Sequence, residues 1–176
     1  MERTPNFFRY PAISADHPAV EASVGDAWER MEYRPNAVAV LKNLDEEVLV
    51  VKPFKDPSAW IFPQGGIDRN ESAEDGLRRE LFEELGMQPE NITDLTHLGT
   101  ADMDAETDRA DKRGFTKGKR FISYSVTYSG SKELRVDPQE IIEYRWILSR
   151  DVSTTLKTSR QEKTELLQRI FKQAGS

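Results

Sequence analysis

The sequence predicts a mixed α/β fold of one domain, and three observations lead to this prediction. Short apolar runs typical of strands lie on both sides of a long helical pattern. A second helical pattern occupies the end of the chain. With 176 residues, the chain is long enough for one domain with a sizeable core. Because strands and helices are interspersed along the chain, we expect a single α/β domain.

The first 32 residues are predicted to be an extension that precedes this domain. Residues 1–13 mix prolines with aromatic residues, which favours an extended arm. Residues 14–32 are compatible with a short helix that has Pro18 near its start. The extension carries no chemical motif, so we assign the domain to residues 33–176.

Five segments have the composition and periodicity of strands. Among them, Phe121–Tyr128 shows the clearest alternation of apolar and polar residues. Residues 102–118 are polar and mixed in charge, which predicts a mobile loop. The predicted strands are Ala37–Leu41, Glu47–Val51, Thr93–Ala101, Phe121–Tyr128 and Ile141–Leu148.

Two helices are predicted from apolar spacing and terminal residues. The first begins near Ser72 and ends at Gly86, since glycine suits the residue after a helix C-terminus. The second covers Gln161–Ala174, whose apolar residues recur at helical spacing, and it is expected to dock on the domain.

The composition limits the classes of partner. Twenty-five basic and 31 acidic residues give a net charge of −6, which disfavours stable binding to duplex nucleic acid or anionic membranes. A polyanionic substrate therefore needs a local basic patch or a bound metal ion. The absence of cysteine excludes thiol nucleophiles and cysteine-based zinc sites. No signal peptide or membrane span is visible, so we expect a soluble, cytoplasmic protein with no membrane partner.

The helix within Gly65–Met87 carries a cluster of three carboxylates. Glu80 and Glu84 lie one turn apart with Glu83 beside them, at about 100° per residue. Their mutual repulsion would be offset by a divalent cation that prefers oxygen ligands. Gly76 is expected to leave space beside Glu80. The alternative is an ordinary solvated helix face rich in charge.

The same stretch resembles the Nudix box, a long gapped motif that is specific for the Nudix hydrolase superfamily. In that family the glutamate trio binds Mg²⁺ or Mn²⁺ at a substrate diphosphate, while the arginine and the first glutamate brace the loop. The resemblance also implies a mixed sheet sandwiched between helices. The matching positions are Gly65, Glu71, Arg79, Glu80, Leu81, Glu83, Glu84, Gly86 and Met87.

Flanking motifs narrow the resemblance to a branch with bacterial RNA pyrophosphohydrolases and diadenosine polyphosphate hydrolases. These motifs are YRPN at 33–36, WIFPQGG at 60–66 and EIIEYRW at 140–146. By this resemblance Arg34 contacts substrate phosphates, and Glu140 binds metal or serves as general base. Gln64 and the backbone of Gly65 are expected beside metal and substrate. The alternatives are a surface ion pair for Arg34, a strand-edge acid for Glu140 and a structural turn for Gln64.

A cluster of basic residues precedes the predicted strand Phe121–Tyr128, and we expect it to attract the phosphates of the substrate electrostatically. Lys119 and Arg120 are its best candidates, and Lys52 is a weaker one; the alternative is a solvated loop balanced by nearby acids. The sequence departs from the branch at one position that concerns recognition of the substrate's nucleobase. The branch has an aromatic residue beside the nucleobase just before the last helix, whereas residues 156–160 contain none. The other members of the cluster are Arg109, Lys112, Arg113 and Lys117.

The resemblance implies a metal-dependent Nudix pyrophosphohydrolase acting on a nucleoside diphosphate derivative. Its catalytic base is one of Glu80, Glu83, Glu84 and Glu140. The favoured substrates are 5′-triphosphate RNA ends and dinucleoside polyphosphates. The alternatives are a housecleaning nucleoside triphosphate pyrophosphatase and a Nudix-fold nucleotide sensor without catalysis. A monomer and a homodimer are both compatible with the sequence.

Overall fold

A computed structural model describes residues 32–106, 114–115 and 117–175. Within these residues the chain forms one mixed sheet with helices on both faces, which confirms the predicted α/β class. The predicted N-terminal arm and helix, and the basic residues Arg109, Lys112 and Arg113, lie outside the described residues. No helix in the described part of the chain is long and apolar enough to cross a membrane.

The sheet has six strands in the order β4-β5-β1-β2-β6, with β3 also paired to β1. β1 and β5 are parallel, and the other neighbouring strands run antiparallel. β1 lies at the centre and is fully buried along Ala37–Leu41, which explains its unbroken apolar run. The strands are β1 (Tyr33–Asn43), β2 (Val48–Pro53), β3 (Gln64–Gly66), β4 (Ile92–Asp104), β5 (Gly118–Tyr128) and β6 (Ile141–Ile147).

The helices are α1 (Ala73–Leu85), α2 (Ser149–Thr155) and α3 (Gln161–Ala174), with a short 3-10 turn at Pro89–Asn91. The bounds of α1 follow from its caps, as predicted. The Ser72 hydroxyl accepts a hydrogen bond from the Asp75 amide at 3.0 Å. Gly86 adopts a left-handed φ of 67° and donates its N–H to Leu81 and Phe82. α2 was not predicted, because a seven-residue helix with one buried residue carries almost no periodic signal.

α1 and α3 cover opposite faces of the sheet. A Cβ atom built on Gly65 would lie 2.2 Å from the Glu80 side chain, so Gly65 faces α1. A Cβ atom on Gly99 would instead meet Gln173 of α3. Since side chains alternate between faces along a strand, Gly66 and Gln64 point away from α1. The mixed sheet therefore lies between helices, as the resemblance implied.

The loop predicted for residues 102–118 is shorter than expected, because β4 and β5 extend into it. Asp102 pairs with Arg120 and Asp104 with Gly118 across the two strands. Arg120 forms a bidentate ion pair with Asp102, with both N–O distances at 2.7 Å. These charges are therefore partnered across the strands, which makes a polar stretch compatible with sheet structure.

Candidate active site on the first helix

Arg79 lies at the centre of the α1 carboxylates. It binds Glu71 with two parallel bonds of 3.0 and 2.6 Å. It also donates to Glu80 at 2.9 Å and to Glu83 at 3.0 Å. The pKa of Arg79 is raised, chiefly by its hydrogen bonds to Glu71, with further contributions from Glu80. The guanidinium therefore carries most of the charge compensation in this cluster.

The pair of Arg79 and Glu71 also fixes the loop that leads into α1. Arg79 donates to the carbonyl oxygen of Gly66 at 2.9 Å, and Glu71 accepts from the Asp68 amide at 2.7 Å. A Cβ atom on Gly76 would lie 2.9 Å from the Glu71 carboxylate. The expectation that Gly76 makes room for Glu80 was therefore wrong, because the carboxylate beside it is Glu71.

Glu80 and Glu84 form the partly buried part of the cluster. Their carboxyl groups lie one turn apart on α1, close enough that each affects the pKa of the other. Burial, then the neighbouring Glu80 and Glu140, raise the pKa of Glu84 to about 8. Burial also raises the pKa of Glu80, against the opposing effect of Arg79. Without an added cation, only one of the two carboxyl groups of Glu80 and Glu84 is therefore readily ionised.

Glu140 is brought to the C-terminal end of α1 by backbone hydrogen bonds. The Asp137 amide donates to the Glu84 carbonyl oxygen at 2.8 Å, and the Asp137 carbonyl oxygen accepts from the Glu140 amide at 3.1 Å. The Phe54 amide donates to the Glu140 carbonyl oxygen at 2.8 Å. Lys55 lies 4.0 Å from the Glu140 carboxylate. Glu140 lies outside α1 and contributes to the raised pKa of Glu84.

The oxygen ligands that this cluster offers are of the kind that a hard divalent cation prefers. The available ligands are carboxylate oxygens, and Gly65 has no side chain to obstruct Glu80. In this conformation no three acidic or histidine side chains of the described residues are arranged to hold a metal ion. Arg79 binds two members of the trio, Glu80 at 2.9 Å and Glu83 at 3.0 Å. Each of these two carboxylates keeps its second oxygen for a metal ion, because Arg79 binds only one oxygen of each.

Arg34, Gln64 and Lys119 lie on the opposite face of the sheet from Glu80. The Arg34 guanidinium packs on Gly66, where a Cβ atom would lie 2.7 Å from it. Lys119 is its direct neighbour in the register of β1 and β5. The Gln64 side-chain oxygen is buried without a hydrogen-bond donor in the described part of the chain, an acceptor suited to a ligand.

Two other predicted cations have different surroundings. Arg120 lies on the α1 face, paired with Asp102 and 5.9 Å from the Tyr33 ring. Lys52 lies 3.3 Å from Glu143 and 4.8 Å from the Trp60 ring. The structure therefore brings Lys119, and not Arg120 or Lys52, beside Arg34 on the same face.

Sequence reasoning missed Asp56 and Lys163. Both line a cavity that also contacts Lys119. Neither belongs to a recognised motif, and they are 107 positions apart in sequence, so only the fold brings them together.

The metal-free protein is expected to lose stability as the pH rises from about 4.5 to about 8. Because the folded pKa of Glu84 lies above its ordinary value, the folded state binds more protons than the unfolded state in this range. Thermal unfolding in EDTA across this range measures the effect. Glu84→Gln should flatten the dependence, and Mg²⁺ should reverse it. A wild-type stability that stays constant or rises with pH would contradict the assignment of Glu84.

Comparison with known proteins defines the class of this chain. The NUDIX domain family matches residues 32–170, so the chain belongs to the Nudix family. Hydrolases of this family generally use divalent metal ions.

Among individual proteins, the chain is 47% identical over 64 residues to an RNA pyrophosphohydrolase of Baumannia cicadellinicola subsp. Homalodisca coagulata. That alignment covers 36% of this chain and 40% of the relative, so the chain spans about two fifths of the protein it matches. The fold resembles E. coli dihydroneopterin triphosphate pyrophosphohydrolase, with a TM-score of 0.64, 17% identity, and coverage of 80% of this chain and 95% of the other. The fold also resembles a C. elegans Ap4A hydrolase, with a TM-score of 0.59 and 19% identity. That comparison covers 79% of this chain and 95% of the other.

Proposed function

We propose that this protein is a metal-dependent pyrophosphohydrolase that cleaves a phosphoanhydride bond in 5′-triphosphate RNA ends or dinucleoside polyphosphates. The observation that carries the proposal is the pair of neighbouring, partly buried carboxyl groups of Glu80 and Glu84, which raises the pKa of Glu84 to about 8. A purely structural helix has no reason to bury two acids against each other. The RNA pyrophosphohydrolase and Ap4A hydrolase relatives support the substrate classes.

The residues divide into an acidic part and a basic part. Glu80, Glu83, Glu84 and Glu140, with the backbone of Gly65, would hold Mg²⁺ or Mn²⁺. When bound, the metal supplies Lewis-acid activation of the phosphate and lowers the pKa of a coordinated water. One of the four glutamates accepts the proton of the attacking water.

On the other face, Arg34 binds substrate phosphates through its planar fork of donors, with Lys119 beside it. Gln64 offers its buried side-chain oxygen to a donor on the ligand. Lys52 and Arg120 contribute charge from farther away, since each is already paired with an acid. Substrate therefore spans the edge formed by β3, between the α1 carboxylates and Arg34.

A substrate panel with product identification tests the proposal. The purified protein is incubated with Mg²⁺ or Mn²⁺ and each of triphosphorylated RNA, diadenosine tetraphosphate, free and oxidised nucleoside triphosphates, and ADP-ribose. Cleavage of RNA ends or of the dinucleotide in preference to free triphosphates supports the proposal. Preference for free triphosphates would indicate a housecleaning enzyme, and binding without cleavage of any member would indicate a sensor.

Arg34→Ala is expected to raise the KM for polyphosphate substrates about tenfold, the effect of losing one charge-assisted contact. Steady-state kinetics of both kcat and KM measure the change. Arg150→Ala is the matched control, because Arg150 is an exposed arginine of α2 that is not assigned to the phosphate site. An unchanged KM in Arg34→Ala would remove Arg34 from the phosphate site.

We further place the protein in the cytoplasm, where nucleotides and RNA ends are available, as a monomer or homodimer. Residues 33–176 form the hydrolase domain in this proposal, and residues 1–32 precede it as an extension. The absence of cysteine is compatible with a reducing compartment.

A further inference from the structure

Lys163 of α3 lines a cavity of about 400 Å³ that opens on the α3 face of the sheet. Met103 of β4 and Phe121 of β5, both buried, form the apolar wall of this cavity. A cavity of this size admits a small molecule. The Lys163 side chain therefore lies beside an apolar wall and within reach of a small reagent.

The Lys163 ammonium makes no hydrogen bond or ion pair with any of the described residues. Its contact is the Phe121 ring, whose centroid lies 5.8 Å away. The acidic residues of the cavity wall are already bound by other protein groups. These pairs are Asp56 with Ser58 at 2.7 Å, Asp104 with Tyr33 at 2.6 Å, and Glu106 with Arg160 at 3.2 Å.

The surroundings of Lys163 disfavour its charged form. Burial, then the Lys119 ammonium, lower its pKa to about 8. Arg160 acts in the same direction, and Asp56 opposes it. Lys163 is also the third residue of α3, where the unpaired backbone N–H groups and the positive end of the helix dipole repel a cation. A substantial fraction of this side chain is therefore a neutral amine near neutral pH.

A neutral lysine amine is a nucleophile toward activated carbonyl groups, and burial or a neighbouring cation is what activates it. Acyl phosphates are the class of reagent that suits this cavity, because Lys119 also lines it and attracts their phosphate group. The Lys163 nitrogen forms a bond to the acyl carbon, and the bond from that carbon to the phosphate oxygen breaks. Phosphate leaves with the bonding electron pair, and the amine loses one proton to water. The product is a neutral amide.

We propose that Lys163 is a modification site that is acylated by small acyl phosphates entering this cavity. The modification removes one positive charge from the cavity wall. The reactions that supply the modifier are those that form a mixed anhydride of a carboxylic acid and phosphate. The proposal goes beyond the hydrolase function and does not depend on it.

Mass spectrometry of the full chain treated with acetyl phosphate at about pH 7.5 tests the proposal. EDTA is present, so that metal-dependent hydrolysis does not affect the result. We expect Lys163 to be acetylated about tenfold faster than free Nα-acetyl-lysine, because its larger neutral fraction outweighs its weaker nucleophilicity. Lys157 is the internal control, since it is exposed and does not line the cavity, and it should be acetylated more slowly than Lys163. A Lys163 rate no higher than those of Lys157 and Nα-acetyl-lysine would overturn the proposal.

The pH dependence of the rate distinguishes an activated amine from simple access. Acetylation of Lys163 should rise with pH and level off above about pH 8, where the amine is already neutral. The rate for Nα-acetyl-lysine should continue to rise toward pH 10, because an ordinary lysine amine loses its proton near 10.4. A Lys163 rate that keeps rising in parallel with the free amine would contradict the proposal.

A variant tests the contribution of the neighbouring charge. Lys119→Met should slow the acetylation of Lys163 about twofold or more at neutral pH, because one cation that favours the neutral amine is removed. Lys42→Met is the matched control, because Lys42 pairs with Glu46 and does not line the cavity, and it should leave the rate unchanged. Equal rates in the two variants would overturn the electrostatic basis of the proposal.

Discussion

Glu83→Gln is expected to lower kcat about 10²- to 10⁴-fold with Mg²⁺ at neutral pH, the range found when a charged catalytic group is removed. The substitution keeps the size of the side chain and replaces an anionic oxygen ligand with a neutral amide. Glu83 is 56% exposed and pairs with Arg79, which keeps Glu71 and Glu80 as partners. The free energy of unfolding should therefore change by less than about 1 kcal/mol.

Single-turnover kinetics and urea denaturation measure the two quantities. Glu74→Gln is the control, because Glu74 is an exposed acid in the first turn of the same helix. Its activity should be close to that of the wild type. A Glu83→Gln enzyme with a near wild-type rate would show that the metal assignment is wrong.

Arg79→Met is expected to remove activity and to destabilise the fold by about 3 kcal/mol, the cost of leaving partly buried carboxylates without their cation. The side chains of Glu71 and Glu80 are only 17% and 15% exposed, so water cannot replace the guanidinium fully. The bond from Arg79 to the Gly66 carbonyl oxygen is lost as well. The substitution thus acts on charge and on the position of the loop.

Arg78→Met is the matched control for this change. Arg78 precedes Arg79 on the same helix and makes a single bond of 3.0 Å to the Ile92 carbonyl oxygen. Its loss should cost about 1 kcal/mol and leave the α1 carboxylates paired. Equal destabilisation by the two substitutions would contradict the central role of Arg79 in the cluster.

Local chemistry made α1 predictable from the sequence. Ser72 and Gly86 cap the helix through contacts within a few residues, so no knowledge of the sheet was required. α3 was predictable from the helical spacing of its apolar residues, and its predicted bounds Gln161–Ala174 are those of the structure. The family resemblance added Arg34 and Glu140, which no local pattern distinguishes from other charged residues.

Contacts between distant segments were not predictable in this way. The bidentate pair of Arg120 and Asp102 depends on the register of β4 and β5. The cavity depends on the placement of α3 over β5, which brings Lys163 to Phe121. Sequence spacing also did not reveal that Arg79 binds Glu80 and Glu83 in this conformation, because rotamers decide between competing partners.

The central claim is that the α1 carboxylates form a metal-dependent centre for phosphoanhydride cleavage. Its most direct test is the release of phosphate or pyrophosphate from triphosphorylated RNA or diadenosine tetraphosphate by protein treated with EDTA and then titrated with Mg²⁺. We expect no turnover in EDTA and a saturable return of activity with Mg²⁺ in the wild type, but not in Glu83→Gln. Equal cleavage rates in EDTA and in Mg²⁺ would contradict the account.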